Sequence, residues 1–219
     1  MIHYQSYEDL IQNNRTWAEE KLKGDPDYFQ QLSSGQKPPF LFIGCSDSRM
    51  PLNSFTKTEP GELFIHRNVA NQVSLTDMNL LSVLEYAVEA LGVQHIVICG
   101  HYCCGGVEAA YRGTATGVVE SWVNPIRELY LQNKQEIDGL ATDQERLNRL
   151  AEYNVIAQVR NICKTSVMHR AFKNGKFPKV HGWVLDIRSG HIVDLPMPVQ
   201  EWKELGIVPE NFSHEAVKL

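Results

Sequence analysis

Pro38-Pro39-Phe40-Leu41-Phe42-Ile43-Gly44-Cys45-Ser46-Asp47-Ser48-Arg49 is the stretch that decides how this chain folds. Four apolar residues between a proline pair and a glycine predict a short strand buried on both faces, the signature of a parallel sheet. Ile96-Val97-Ile98-Cys99, closed by Gly100, repeats the pattern. Leu63-Phe64-Ile65 follows the Pro60-Gly61 turn, and Val180 to Ile187 supplies a fourth strand. Helical patterns lie between them. Leu80, Leu81, Leu84, Ala87, Val88 and Leu91 share one face closed by Gly92, and 119–132 and 143–173 read as helices, the latter stopped by Asn174-Gly175. After the turn Arg188-Ser189-Gly190, His191-Ile192-Val193 returns as an antiparallel edge. The expected fold is α/β: a central, mostly parallel four-stranded sheet with an antiparallel edge strand, and helices on both faces. Ahead of it, Ser6 and Asp9 form a capping-box pattern, and Tyr7, Leu10, Ile11, Trp17, Ala18 and Leu22 share a helical face. Gly24-Asp25-Pro26 then starts a second short helix. The expected division is a helical arm over 1–36 and one α/β domain over 37–219.

At 219 residues, 43% hydrophobic and 21% charged, the chain has the composition of a globular domain and not of a disordered or collagenous one. A net charge of -5 offers no general attraction to nucleic acid. No apolar run approaches the roughly 18 residues of a membrane span, and the polar N-terminus lacks an apolar signal core, so a cytoplasmic protein is expected. Its five cysteines then read as buried thiols or metal ligands instead of disulfides.

In parallel sheets, function gathers at the carboxyl ends of strands. Cys45 follows the first strand, and His101 and Cys104 follow the third, in Gly100-His101-Tyr102-Cys103-Cys104-Gly105-Gly106. Cys2His is a donor set that zinc favours, with a fourth position open in catalytic sites. The i, i+3 spacing of His101 and Cys104 suits one turn at a helix start and prefers Cys104 over Cys103. Asp47, two residues from Cys45, could bind the metal or be held by Arg49 in a bidentate pair beside it. Cys99 and Cys163 sit in apolar or helical surroundings and read as structural.

Cys45-Ser46-Asp47-Ser48-Arg49, Pro60-Gly61-Glu62, His66-Arg67-Asn68-Val69-Ala70-Asn71 and Gly100-His101-Tyr102-x-Cys104-Gly105-Gly106 together resemble the β-class carbonic anhydrases, from Gln36 to about Asp186. The resemblance implies a lyase, with one Zn²⁺ per chain, that converts carbon dioxide reversibly to bicarbonate and a proton through zinc-bound hydroxide. It implies Cys45, His101 and Cys104 as zinc ligands and Asp47 with Arg49 as the dyad beside the metal. Gln36, Phe64, Val69, Tyr86 and Gly105 fall at substrate-pocket positions, Gln36 and Tyr86 facing the other subunit's site in a homodimer or dimer of dimers. His66 is a possible proton shuttle or a structural residue.

Three alternatives share these residues. One is a hydrolase of carbon disulfide or carbonyl sulfide on the same fold. Another is a structural zinc site closed by Asp47, for which Arg49 has little purpose. The third is a thiol redox protein using Cys103-Cys104. One departure from the family pattern concerns closure of the site. Where many bacterial members bind bicarbonate through a Trp, an Arg and a Tyr, this chain has Phe42, Arg67 and Leu185. An open site near neutral pH is therefore expected, with Asp47 paired to Arg49 and Arg67 as one exposed anion contact.

Overall fold

The computed structural model describes residues 6–217, which form two compact units dividing between Lys37 and Pro38. In the first unit, α1 (Tyr7–Gly24) begins at a complete capping box: Asp9 N–H donates to Ser6 Oγ at 3.1 Å and Ser6 N–H to Asp9 Oδ2 at 2.8 Å. These two bonds satisfy donors that a helix start would otherwise leave orphaned. α2 (Tyr28–Ser33) follows, and Phe29 meets Trp17 edge-on. The expected apolar face is present on α1, yet Tyr7, Leu10, Ile11, Trp17 and Leu22 are all exposed.

The second unit is built on β1 (Phe40–Cys45), β2 (Leu63–Asn68), β3 (His95–His101), β4 (Lys179–Leu185) and β5 (Ile192–Asp194). Their order is β2-β1-β3-β4-β5; the first four run parallel and β5 pairs antiparallel with β4. The α/β expectation, antiparallel edge included, therefore holds. Alternate strand residues feed opposite cores. Leu41, Ile43, Ile96 and Ile98 pack on one face, Phe42, Val97 and Cys99 on the other. α4 (Met78–Glu85) and α9 (Ser166–Lys173) cover the first face; α5 (Gly105–Arg112), α6 (Gly117–Gln132) and α7 (Lys134–Asp138) cover the second. The short α3 (Leu52–Thr56) joins β1 to β2, and α10 (Val199–Glu204) places Trp202 in the first core.

α8 (Asp143–Lys164) packs against β3 and β4. Thr142 and Glu145 cap its start reciprocally, and Val155, Val159 and Ile162 are fully buried. Each such side chain contributes about 1.5–3 kcal/mol. Gly182 permits the approach: a Cβ there would stand 3.0 Å from Val155 Cγ1 and 2.5 Å from Met197 Cε.

Two helices differ from expectation. The segment 143–173 is two helices, because Thr165 leaves helical geometry (φ -67°, ψ 151°) and its hydroxyl caps Met168 N–H, starting α9. The helix containing Leu80 continues past Glu85 as a π-helical turn, Tyr86–Leu91. Among the described residues, no helix is long and apolar enough to cross a membrane.

Candidate metal centre

β1 and β3 are hydrogen-bonded neighbours with Gly44 opposite Cys99, so their carboxyl ends deliver Cys45 and His101 side by side. Cys45, His101 and Cys104 are buried, with donor atoms all within 4.8 Å of one another, and they are the one such group among the described residues. The two sulfurs are 4.0 Å apart. Tetrahedral Zn²⁺ with bonds near 2.3 Å needs sulfurs about 3.8 Å apart, so the pair fits the ion.

The histidine is prepared as a ligand. Its Nδ1 lies 2.9 Å from Tyr102 O, and a carbonyl only accepts, so Nδ1 carries the proton. The lone pair is thereby on Nε2, which is buried with no hydrogen-bond partner. Leaving such an atom unsatisfied costs about 1–3 kcal/mol, a cost that coordination removes.

The thiols are prepared too. Hydrogen bonding with Cys104, helped by His101 and the Asp47 backbone, lowers the Cys45 thiol; the same bond and burial push Cys104 up. A cation between them would offset the repulsion of two thiolates. Backbone groups of Gly106 and Val107, in the first turn of α5, favour the Cys104 thiolate.

Sequence spacing suggested that His101 and Cys104 share one turn of helix. They do not: His101 ends β3, and Cys104 stands in extended geometry at the N-cap position of α5. They converge because Cys103 between them takes a left-handed conformation, φ 59°. Such a turn costs a non-glycine residue roughly 1–2 kcal/mol.

Asp47 and Arg49 form the expected bidentate pair. Arg49 Nε donates to Oδ1 at 2.9 Å and Nη2 to Oδ2 at 2.7 Å. These bonds hold the Asp47 carboxyl well below the usual carboxylate range. Nη2 also donates to Cys103 O at 3.1 Å, tying the two ligand loops together. Asp47 Oδ2 stands 3.6 Å from His101 Nε2, beside the three donors and turned to the guanidinium. A carboxylate so engaged is a poor fourth ligand, which weighs against a closed structural site.

Arg67 is more than the exposed anion contact expected of it. Its Nε and Nη2 donate to Cys45 O at 2.9 and 2.7 Å, and Nη2 also to Asp47 O at 2.8 Å. Phe42 and Leu185 are buried, Phe42 edge-on to Phe55 and Trp183. His66 is buried, accepts from Asn68 Nδ2 at 3.3 Å, and is lowered by desolvation. Burial likewise raises the Cys99 thiol, and takes Cys163 up to about 12.

The other expected residues are spread more widely. Val69, half-exposed, follows β2, and Gly105 opens α5 with open space where a Cβ would be. Phe64 and Tyr86 meet with ring centroids 5.8 Å apart and their planes tilted by 40°. Gln36 is an exposed residue of the first unit, after α2. All five cysteines are free thiols, Cys103 and Cys104 included.

A sequence profile described as carbonic anhydrase matches residues 40–192. A carbonic anhydrase of Emericella nidulans is 44% identical over 191 residues, covering 87% of this chain and 84% of that one. The chain belongs to the β-class carbonic anhydrases. Tetrameric β-carbonic anhydrases from Sordaria macrospora include a structure that superposes with a TM-score of 0.82 at 38% identity, over 86% of this chain and 96% of that one. A β-carbonic anhydrase of Aspergillus fumigatus gives 0.85 at 34%, over 94% and 100%. This carbonic anhydrase is a zinc-dependent lyase that interconverts carbon dioxide and bicarbonate.

Proposed function

We propose that Cys45 Sγ, His101 Nε2 and Cys104 Sγ hold the zinc, and that Asp47 and Arg49 act beside it. The observation that carries this reading is the buried, partnerless His101 Nε2 between two thiols, with Asp47 Oδ2 at 3.6 Å. Bound zinc supplies an acidified water for attack on carbon dioxide. Tyr102 O keeps the His101 lone pair on the metal side. Arg49 donates twice to Asp47 Oδ1, from its backbone N–H and from Nε, and once to Oδ2 from Nη2; this keeps the carboxylate ionised and leaves Oδ2 the lone pair for the water site. Asp47 thus accepts a hydrogen bond there, stays ionised and orients the attacking oxygen. Val69 and Gly105 border the place where a linear, apolar substrate would lie, with Phe64 and Tyr86 beyond them. The pairing of Asp47 with Arg49 is the open arrangement, which leaves the fourth position to water.

We read the chain as an arm, 1–36, and one zinc-binding α/β domain, 37–219. The arm's exposed apolar residues, together with exposed Ile65 on the sheet's edge strand, support a homodimer or dimer of dimers in which Gln36 and Tyr86 serve the partner's site. The tetrameric relatives favour the larger assembly. Five free thiols suit the reducing cytoplasm. The deciding test is stopped-flow carbon dioxide hydration before and after metal chelation. Zinc at one per chain with hydration at the uncatalysed rate between pH 6.5 and 9 would overturn the site assignment.

A further inference from the structure

β2 ends in a turn, Val69–Asn71, that is held in an unusual way. Ala70 (φ 59°) and Asn71 (φ 47°) are consecutive left-handed residues, and neither is glycine. Two such residues in a row persist only where their surroundings over-determine them. The turn also touches all three ligand-bearing segments. Asn68, just before it, pairs with Cys45 and accepts Ser46 N–H at 2.9 Å. Ala70 and Val69 pack on Gly106, where a Cβ would meet Ala70 Cβ at 3.0 Å and Val69 Cγ1 at 3.3 Å. Asn71 lies over Gly100, next to His101, with its Oδ1 3.3 Å from where a Cβ would be. Asn71 Nδ2 has no hydrogen-bond partner, so that amide nitrogen does not hold the turn.

Part of the hold is local: Asn68 Oδ1 accepts Gln72 N–H at 2.7 Å, Asn68 Nδ2 donates to Gln72 O at 2.8 Å, and Trp122 Nε1 on α6 donates to Val69 O at 2.8 Å. The bonds to the left-handed Ala70 itself come from across the core. Asn154 Nδ2 on α8 donates to Ala70 O at 3.0 Å, and Gln72 Nε2 reaches the same carbonyl at 3.0 Å. Asn154 Oδ1 accepts from Gln72 Nε2 at 2.7 Å and from Gln158 Nε2 at 2.9 Å. Gln158 Oε1 accepts Val73 N–H at 2.8 Å. Asn154, Gln158 and Gln72 are all buried. Buried amides among Val155, Val159 and Ile162 weaken an otherwise apolar helix face, so they do something that apolar residues could not. A fully satisfied buried network specifies one geometry.

We infer that Asn154, with Gln72 and Gln158, is the positioning element of the active site: it clamps the Val69–Asn71 turn in its left-handed form and so sets the Val69 wall of the carbon dioxide pocket. This rests on Val69 lining that pocket. Asn154 touches no ligand or reacting atom and acts through the turn.

The test compares zinc-loaded Asn154→Leu, Gln72→Met and Val69→Leu with the wild-type enzyme in stopped-flow hydration. Zinc content, KM, kcat and the pH midpoint of kcat/KM are measured for each. Misplacing a substrate wall by under an ångström predicts about a tenfold fall in kcat/KM for Asn154→Leu. KM should carry that fall, with one zinc per chain and an unmoved pH midpoint. Gln72→Met should move KM in the same direction, and carries the test if Asn154→Leu does not fold. Adding Ala70→Gly, which takes positive φ without strain, should recover about threefold of the loss. Wild-type KM in the folded network variants, activity lost only in step with zinc, or no recovery from Ala70→Gly would overturn the inference. An unchanged KM in Val69→Leu would overturn the pocket reading beneath it. A raised KM there beside unaffected network variants would overturn the clamp alone.

Discussion

Replacing Arg49 by Met keeps an unbranched apolar stem and removes every side-chain donor, leaving the backbone N–H that donates to Asp47 Oδ1 at 2.9 Å. In the intact protein two charge-assisted bonds, 2.9 and 2.7 Å, fix the Asp47 carboxylate. Such bonds are worth roughly 1.5–3 kcal/mol each when buried. The guanidinium side chain is 52% exposed and the carboxylate 16%, so solvent screening leaves about 2–3 kcal/mol for the pair. At about 1.4 kcal/mol per factor of ten, the oriented carboxylate loses roughly 30- to 100-fold of its population. The expected outcome is a fall of that size in kcat/KM for carbon dioxide hydration at pH 8.5, with zinc retained. The sign of the pH effect follows from the lowered Asp47 group. Its stabilising contribution is complete above the ordinary carboxylate pKa of about 4 and is lost only as pH falls through its depressed value. Removing Arg49 returns Asp47 toward the ordinary range, where it is still ionised at pH 8.5. The loss therefore comes from orientation, and raising the pH should not rescue it. Arg49→Met within threefold of wild type, or rescued at high pH, would refute this account; so would parallel loss of zinc, which would make the Cys103 O contact the important one.

Cys104→Ser should lose most of its zinc by metal analysis while Cys103→Ser keeps it, because an alcohol is a poor ligand at neutral pH; the reverse would name Cys103 as the ligand. Burial, with help from His95 and His214, lowers His181 to about 4, so the unfolded chain binds the extra proton first as pH drops below about 6.5. Thermal melts should accordingly show stability falling by about 1 kcal/mol between pH 7 and 5, after allowance for partial exposure, and His181→Phe should flatten that slope. Deleting residues 1–33 should give a poorly soluble, inactive protein; a soluble, active monomer in light scattering would remove the arm from assembly.

The strands were legible because parallel strands buried on both faces read as unbroken apolar runs, and Phe40–Ile43 and Ile96–Cys99 stand out between prolines and glycines. The grouping of Cys45, His101 and Cys104 was legible because each ends or follows a strand. The route by which His101 and Cys104 meet was not, since a left-handed cysteine carries no composition signal of its own. Arg67 was half-read: a guanidinium beside a loop suggests an anion, and only the fold reveals carbonyls within its reach. The helix break at Thr165 depends on a hydroxyl choosing the cap over the helix. Asn154, Gln158 and the half-buried Asn161, whose Nδ2 donates to Val73 O at 3.0 Å, were hidden by the rule that polar residues mark a solvent face. Their i, i+4, i+7 spacing inside the stripe of Leu150, Val155, Val159 and Ile162 was the available clue.

The three grouped donors also come from two strand ends that the chain joins only by way of α3, β2 and α4: Cys45 at the end of β1, and His101 at the end of β3 with Cys104 just beyond it. Each strand residue advances about 3.3 Å, more than a zinc–sulfur bond of about 2.3 Å, so a slip of one residue between β1 and β3 would carry Cys45 out of reach of an ion held by His101 and Cys104. A chelating site of this kind distinguishes the correct register from its nearest errors. Zinc would then act as a gauge during folding: misregistered chains gain nothing from the ion, while the native pairing gains the whole of its binding free energy. Metal uptake should come after the two strands have met, and refolding in zinc should sharpen the final yield more than it speeds the first collapse.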